Sequence, residues 1–116
     1  MTEVSRQQIQ GLIERTAKLS LSSFDMARFL YSTLAHQQLT ATVKEVSLHS
    51  APRHHFVLQL GEFWLDCGAD NAAQAQLALL QESQIVQQIQ TLDVAVLPEA
   101  QLAFMCMETA HFDHCY

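Results

Sequence analysis

His55 and Asp66 are the residues best suited to chemistry in this chain. They bracket the stretch Phe56-Val-Leu-Gln-Leu-Gly-Glu-Phe-Trp-Leu65, which reads as two short strands around a Gly61-Glu62 turn. A hairpin of that length brings its open ends side by side, where a carboxylate can accept an imidazole N–H and fix its tautomer. Such a pair is the base and orienting acid of a nucleophilic site. The nucleophile it would serve is not obvious. A non-catalytic use of the same residues is a strand-terminal histidine beside an aspartate that caps the Cys67-Gly68 loop. His54 is a second imidazole at the same end, and because adjacent strand residues face opposite sides, only one of the two histidines can point to such a site. His54 and Trp64, the latter on the Asp66 side of its strand, are candidate groove linings, and Trp64 is alternatively a core filler.

The elements that must position these groups follow from periodicity. Ile9, Leu12, Ile13, Ala17 and Leu19 recur at helical spacing, so residues 5–19 are expected to form an amphipathic helix. A second helix is expected over 23–36 on Phe24, Ala27, Leu30, Tyr31 and Leu34, with Ser22 and Asp25 as an N-cap pair. From Thr40 the residues turn β-prone, and a strand is expected to end at the polar turn His49–Arg53. The central strands, 54–60 and 62–66, put His55, Val57 and Gln59 on one face, Phe56, Leu58 and Leu60 on the other, and Trp64 with Asp66. Residues 71–81 have the alanine and leucine content of a helix capped by Asp70 or Asn71. Residues 84–97 fit either element and are read as helix then strand; 101–107 is β-plausible, and 111–116 a frayed end. The expected fold is therefore one α+β domain over 1–116, with N-terminal helices packed on a small antiparallel sheet and a further helix after the central hairpin.

Order and spacing together bear a resemblance. Ser23-Phe24-Asp25-Met26-Ala27 at a helix start, then a strand opening His55-Phe56-Val57, then a short strand ending Trp64-Leu65-Asp66, resembles the papain-like and transglutaminase-like core. In that core a cysteine opens a helix, a histidine begins a strand and an aspartate follows the next. The resemblance spans residues 22–67. It implies acyl transfer or amide hydrolysis with Ser23 as nucleophile, His55 as base and Asp66 as orienter. Ser23 departs from the family's cysteine, however. A helix N-terminus and an imidazolium activate a thiolate far more than a serine hydroxyl, which needs a stronger base and an oxyanion hole. The expected function is thus a non-catalytic protein- or ligand-binding domain derived from that core. A serine-variant acyl transferase or amidohydrolase is one alternative, and an unrelated small α+β interaction or homodimeric protein is another.

Composition narrows the partners. The chain has 116 residues, 49% of them hydrophobic, and a formal charge of −6. All six Lys and Arg lie within residues 1–53 beside four acids, whereas residues 54–116 hold eight acids and no Lys or Arg. An anionic surface argues against nucleic acid and against anionic membranes, and a basic protein or a second copy of the chain is the easier partner. Met1-Thr2-Glu3-Val4-Ser5 has neither a basic region nor a following apolar run, so no secretory signal is expected and the cytoplasm is the default. Cys67, Cys106 and Cys115 are an odd number without paired spacing, expected to be reduced thiols, with Cys67 and Cys106 buried. His111, Asp113, His114 and Cys115 include ligand types but fit no zinc spacing, and no glycine-rich phosphate loop exists. No metal or cofactor is expected.

Overall fold

The computed structural model describes residues 5–49, 51–70, 72–75 and 77–114, with the backbone alone for 107–114. It is an α+β fold of three helices and one antiparallel five-stranded sheet. Helices α1 (Arg6–Thr16) and α2 (Ser23–His36) come first. Strands β1 (Thr42–Leu48), β2 (His55–Leu60), β3 (Phe63–Ala69), β4 (Ala78–Leu80) and β5 (Ile85–Leu92) follow, and α3 (Glu99–His114) closes the described chain. In space the strands run β4-β3-β2-β1-β5.

Local chemistry sets the first elements. Ser5 opens α1 with a capping box, its hydroxyl accepting the Gln8 N–H at 3.2 Å while the Gln8 side chain accepts the Ser5 N–H at 2.8 Å. Ser22 caps α2 by accepting the Asp25 N–H at 3.2 Å, as its spacing predicts. The β2–β3 hairpin turns at Gly61, whose φ of +59 suits a residue without a side chain, and it closes on the Leu60–Phe63 pair.

Both faces of the sheet are apolar, and they pack differently. Val43, Leu58, Leu60, Leu65 and Cys67 meet Met26, Leu30 and Leu34 of α2 and Ile9 and Leu12 of α1 in the main core. The opposite face carries a second cluster of Val46, Leu48, Val57, Trp64 and Leu80, joined by Ile85. Among the described residues no helix contributes a side chain to this second cluster. The sheet itself covers it by coiling, as the chain length between its edges requires. Leu80 lies in the row Leu80–Trp64–Gln59–Thr42, and Ile85 pairs with Leu48, six residues further along β1. On a flat sheet those corners would be about 28 Å apart, from four strand spacings and six residues of strand rise. Five residues of chain reach about 18 Å at most. The corners must therefore approach each other, and both side chains do enter the same cluster. Two bulges in β5, between the partners of Glu45 and Val46 and between those of Ser47 and Leu48, supply extra local twist.

Three expected elements change. Residues 73–74 form a bend and 78–80 form edge strand β4, where a helix over 71–81 is expected from composition. Tertiary bonds override that propensity: Ser23 N–H donates to the Ala72 carbonyl at 3.1 Å, and Ala75 N–H to the Leu21 carbonyl at 2.8 Å. Residues 85–92 form strand β5, preceded by a single 3₁₀ turn at Glu82–Gln84, instead of starting as a helix. The β-plausible tail 101–107 lies inside α3, which is the helix that follows the hairpin. Among the described residues no helix is long and apolar enough to cross a membrane.

Candidate functional site

His55 and Asp66 do meet. Imidazole Nδ1 lies 2.9 Å from the Asp66 Oδ1 carboxylate oxygen, both side chains being about one-fifth exposed. They reach each other by a register that differs from a simple hairpin. Asp66 sits opposite Val57, and His55 opposite Ala69, with an irregularity at Phe56/Val57 that leaves Cys67 without a cross-strand partner. The same Oδ1 also accepts the backbone N–H of Gly68 at 2.9 Å. Asp66 therefore holds the bulge and the histidine at once. With Nδ1–H directed to the carboxylate, the pair fixes an imidazole whose Nε2 is the atom left for chemistry.

Ser23 is not part of this arrangement. Val57 and Trp64, on the His55 and Asp66 side, belong to the coiled-sheet cluster, whereas Phe56, Leu65 and Cys67 face the helices. Ser23 opens α2 on the helix side, 1% exposed, and its Cβ lies 3.1 Å from where a Cβ on Gly68 would stand. The sheet thus separates Ser23 from the His55 imidazole. Of the three residues that the resemblance names, the hydrogen bonds join His55 to Asp66, and alternation along β2 and β3 sends these two to the face that α2 does not cover. Cys67 cannot substitute. It is fully buried among the helix-facing core residues, and burial, aided by the adjacent Asp66 carboxylate, pushes its thiol well above the ordinary cysteine range. Cys106 is half-buried and burial raises it too.

The expected groove lining also divides. Trp64 is 4% exposed, with Lys44 Nζ 5.2 Å from its ring centroid and bonded on to Gln88 Oε1 at 3.0 Å. Its edge reaches a cavity of about 590 Å³ bounded by Arg6, Glu62, Leu79 and Glu82. His54 lies elsewhere, its Nδ1 2.9 Å from Glu45 Oε2, while Gln90 Nε2–H donates to Glu45 Oε1 at 2.7 Å. This His54–Glu45–Gln90 clasp joins β1 to β5 and to the start of β2. It depends on a strand register that no local pattern specifies, so sequence reasoning passes over it. The Gln90 hydrogen bond, then that from His54, holds the Glu45 carboxyl below its ordinary value of 4.5, against a smaller opposing effect of burial.

Two expectations follow. Because Glu45 binds its proton more weakly when folded, its contribution is present at neutral pH and is lost as pH falls through the folded value. The urea midpoint should decline between about pH 5 and pH 3, and Glu45→Gln should flatten that part of the profile. Asp66→Ala should cost about 1–3 kcal/mol in urea unfolding, because it strands both the Gly68 N–H and the His55 ring; Asp66→Asn, which keeps an acceptor, should cost less.

No group of three or more His, Cys, Asp or Glu that could hold a metal ion occurs among the described residues. The side chains of His111, Asp113 and His114, and all of Cys115, lie outside them. Comparison of the chain with protein-family models, with curated proteins and with solved structures found no match.

Proposed function

We propose that this chain is a non-catalytic protein-binding domain that accepts an extended basic polypeptide along β5. The observation that carries the reading is the exposure of this strand. All six residues from Val86 to Thr91 are exposed, with Val86 at 56% and Ile89 at 38%. β5 is also an edge, hydrogen-bonded to β1 alone. Edge strands are ordinarily guarded by lysine, proline, charge or bulges; Ile85–Leu92 contains no Lys, Pro or charged residue and has only the bulges. Val86 and Ile89 are the residues without partners in β1, so the bulges present two apolar side chains and bow the strand. A bowed edge disfavours flat, indiscriminate pairing and accepts a partner whose course follows the bend. Backbone bonds would supply affinity and the two apolar side chains register.

Electrostatics favours a basic partner. Glu82 and Asp93 flank the uncharged strand, in the half of the sequence that holds eight acids and no Lys or Arg. Such a field raises the local concentration of cationic chains. The dyad fits this reading as a clamp at the β2–β3 bulge, since neither Ser23 nor Cys67 reaches it.

Hydrogen exchange tests the proposal. Extended peptides with β-branched residues alternating with Lys or Arg should protect the amides of 85–92, and Glu-substituted counterparts should not. Protection should weaken with salt. Ile89→Pro, placed at a bulge with no partner in β1, should abolish it while leaving the melting curve nearly intact. Protection appearing elsewhere, or surviving Ile89→Pro, would overturn the assignment to β5.

A further inference from the structure

The ladder between β1 and β5 dictates which backbone groups the open edge of β5 offers. In an antiparallel ladder, facing residues alternate between pairs that exchange backbone bonds and pairs whose N–H and C=O point away from each other. His49 N–H donates to the Gln84 carbonyl at 3.1 Å, so the adjacent pair Leu48–Ile85 is of the second kind. Both bulges lie in β5, so β1 alternates without interruption, and Val46 and Lys44 share the phase of Leu48. Their partners Ile85, Gln88 and Thr91 therefore turn their backbone groups outward. Each bulge adds one residue, so these positions recur every third residue of β5 yet keep step with every second residue of β1. Their spacing is about 6.8 Å, that of alternate residues in an unbulged strand. The bulged edge thus matches a regular one.

The row is short. Ile85 N–H already donates to the Glu82 carbonyl in the 3₁₀ turn, which leaves its own carbonyl for a partner, and the strand ends at Leu92. Side chains of the row face the coiled-sheet cluster, which Ile85 joins and where Gln88 reaches Lys44 above Trp64. Val86 follows Ile85 and Ile89 follows Gln88, so both exposed apolar side chains project to the other face.

Building on strand addition at β5, we propose that the segment received is a five-residue antiparallel strand of the pattern basic, β-branched, neutral, β-branched, basic. Its first, third and fifth residues pair with Thr91, Gln88 and Ile85, and its second and fourth side chains lie beside Ile89 and Val86. Charge selects the odd positions. Asp93 stands two residues past Thr91, and Glu82 is bonded to Ile85, so each end of the row has an acid for a basic side chain. In the middle, Lys44 Nζ lies 3.0 Å from Gln88 Oε1 and would repel a second cation. Direction follows from the ladder: only an antiparallel partner exchanges both bonds with Gln88 and Thr91 through its odd residues, and every pairing in this sheet is antiparallel.

A backbone N-methyl scan of a peptide carrying Lys-Val-Thr-Val-Lys between glycines tests the register against the full chain. N-methylation at either lysine or at the threonine should weaken binding at least about tenfold, and at either valine less than about threefold, since only the odd N–H groups meet β5. Lysine in place of the central threonine should weaken it about threefold or more. Gln88→Pro removes an outward N–H without breaking a bond to β1, so capture should fall at least about tenfold, whereas Gln88→Ala, which loses only the side-chain bond, should retain it. Sensitivity at the valines in place of the odd positions would mean a parallel strand, and equal loss at all five would mean no fixed register; either overturns this inference while leaving capture at β5 in place. Absence of amide protection over 85–92 with every peptide would remove strand addition itself, and the register with it.

Discussion

Gly68→Ala should destabilise the domain by about 2–4 kcal/mol, from backbone strain and overpacking together. Gly68 has φ of +119, a region that side-chain-bearing residues rarely enter. A Cβ there would stand 3.1 Å from the Cβ atoms of both Ser23 and Ala75. Neither neighbour can yield freely: Ser23 is fixed through its N–H to Ala72, and Ala75 through its N–H to Leu21. The glycine is thus where β3, the start of α2 and the 72–75 segment approach one another. Its own N–H is held by Asp66, so a shift there would also disturb the His55–Asp66 bond. Thermal melts should show a fall of roughly 10–20 °C. Gly61→Ala is the control, with φ of +59 and nothing within 4 Å of the added Cβ, and should cost only about 1 kcal/mol. Equal losses at the two glycines would mean that crowding at Gly68 is unimportant.

Trp64→Ala is the second large effect, expected at about 3–5 kcal/mol in urea unfolding. Trp64 is the largest member of the cluster within the coiled sheet, flanked by Val46, Val57, Leu48 and Leu80. Its removal leaves a void under Lys44, which spans the ring and reaches β5 through Gln88. That is a substantial fraction of the roughly 5–15 kcal/mol by which domains of this size are stable. Trp64→Phe, which keeps a ring in the cluster, should retain more than half of the stability lost by alanine. A cost below about 1.5 kcal/mol for the alanine variant would mean that this face is not packed.

These two sites show which features the residues announce. Amphipathic α1 and α2, the Ser22 cap, β1 and the β2–β3 hairpin follow from period and turn chemistry, as does the grouping of Val57 with His55 and of Trp64 with Asp66. The later elements do not. Ala72–Leu80 has helical composition but is bound to residues 21–23 and to β3. β5 is exposed on its inner six residues and so has no alternation to read, and α3 is apolar on more than one side and so has no helical stripe. The decisive point for the site was equally hidden. Leu58 and Val57 face opposite sides of β2 and both are fully buried, so hydrophobicity does not tell which face the helices cover. That choice places Ser23 on one side of the sheet and the dyad on the other.

The placement of Ser23 on the helix side of the sheet is what makes the proposed reading a non-catalytic one, and covalent labelling examines it directly. The chain would be incubated with a serine-directed fluorophosphonate and its intact mass measured, alongside His55→Ala. No adduct is expected on either protein, because Ser23 is 1% exposed and opens α2 on the face of the sheet opposite to that of His55. Labelling of Ser23 that disappears in His55→Ala would show that the two groups act together, and would contradict the account.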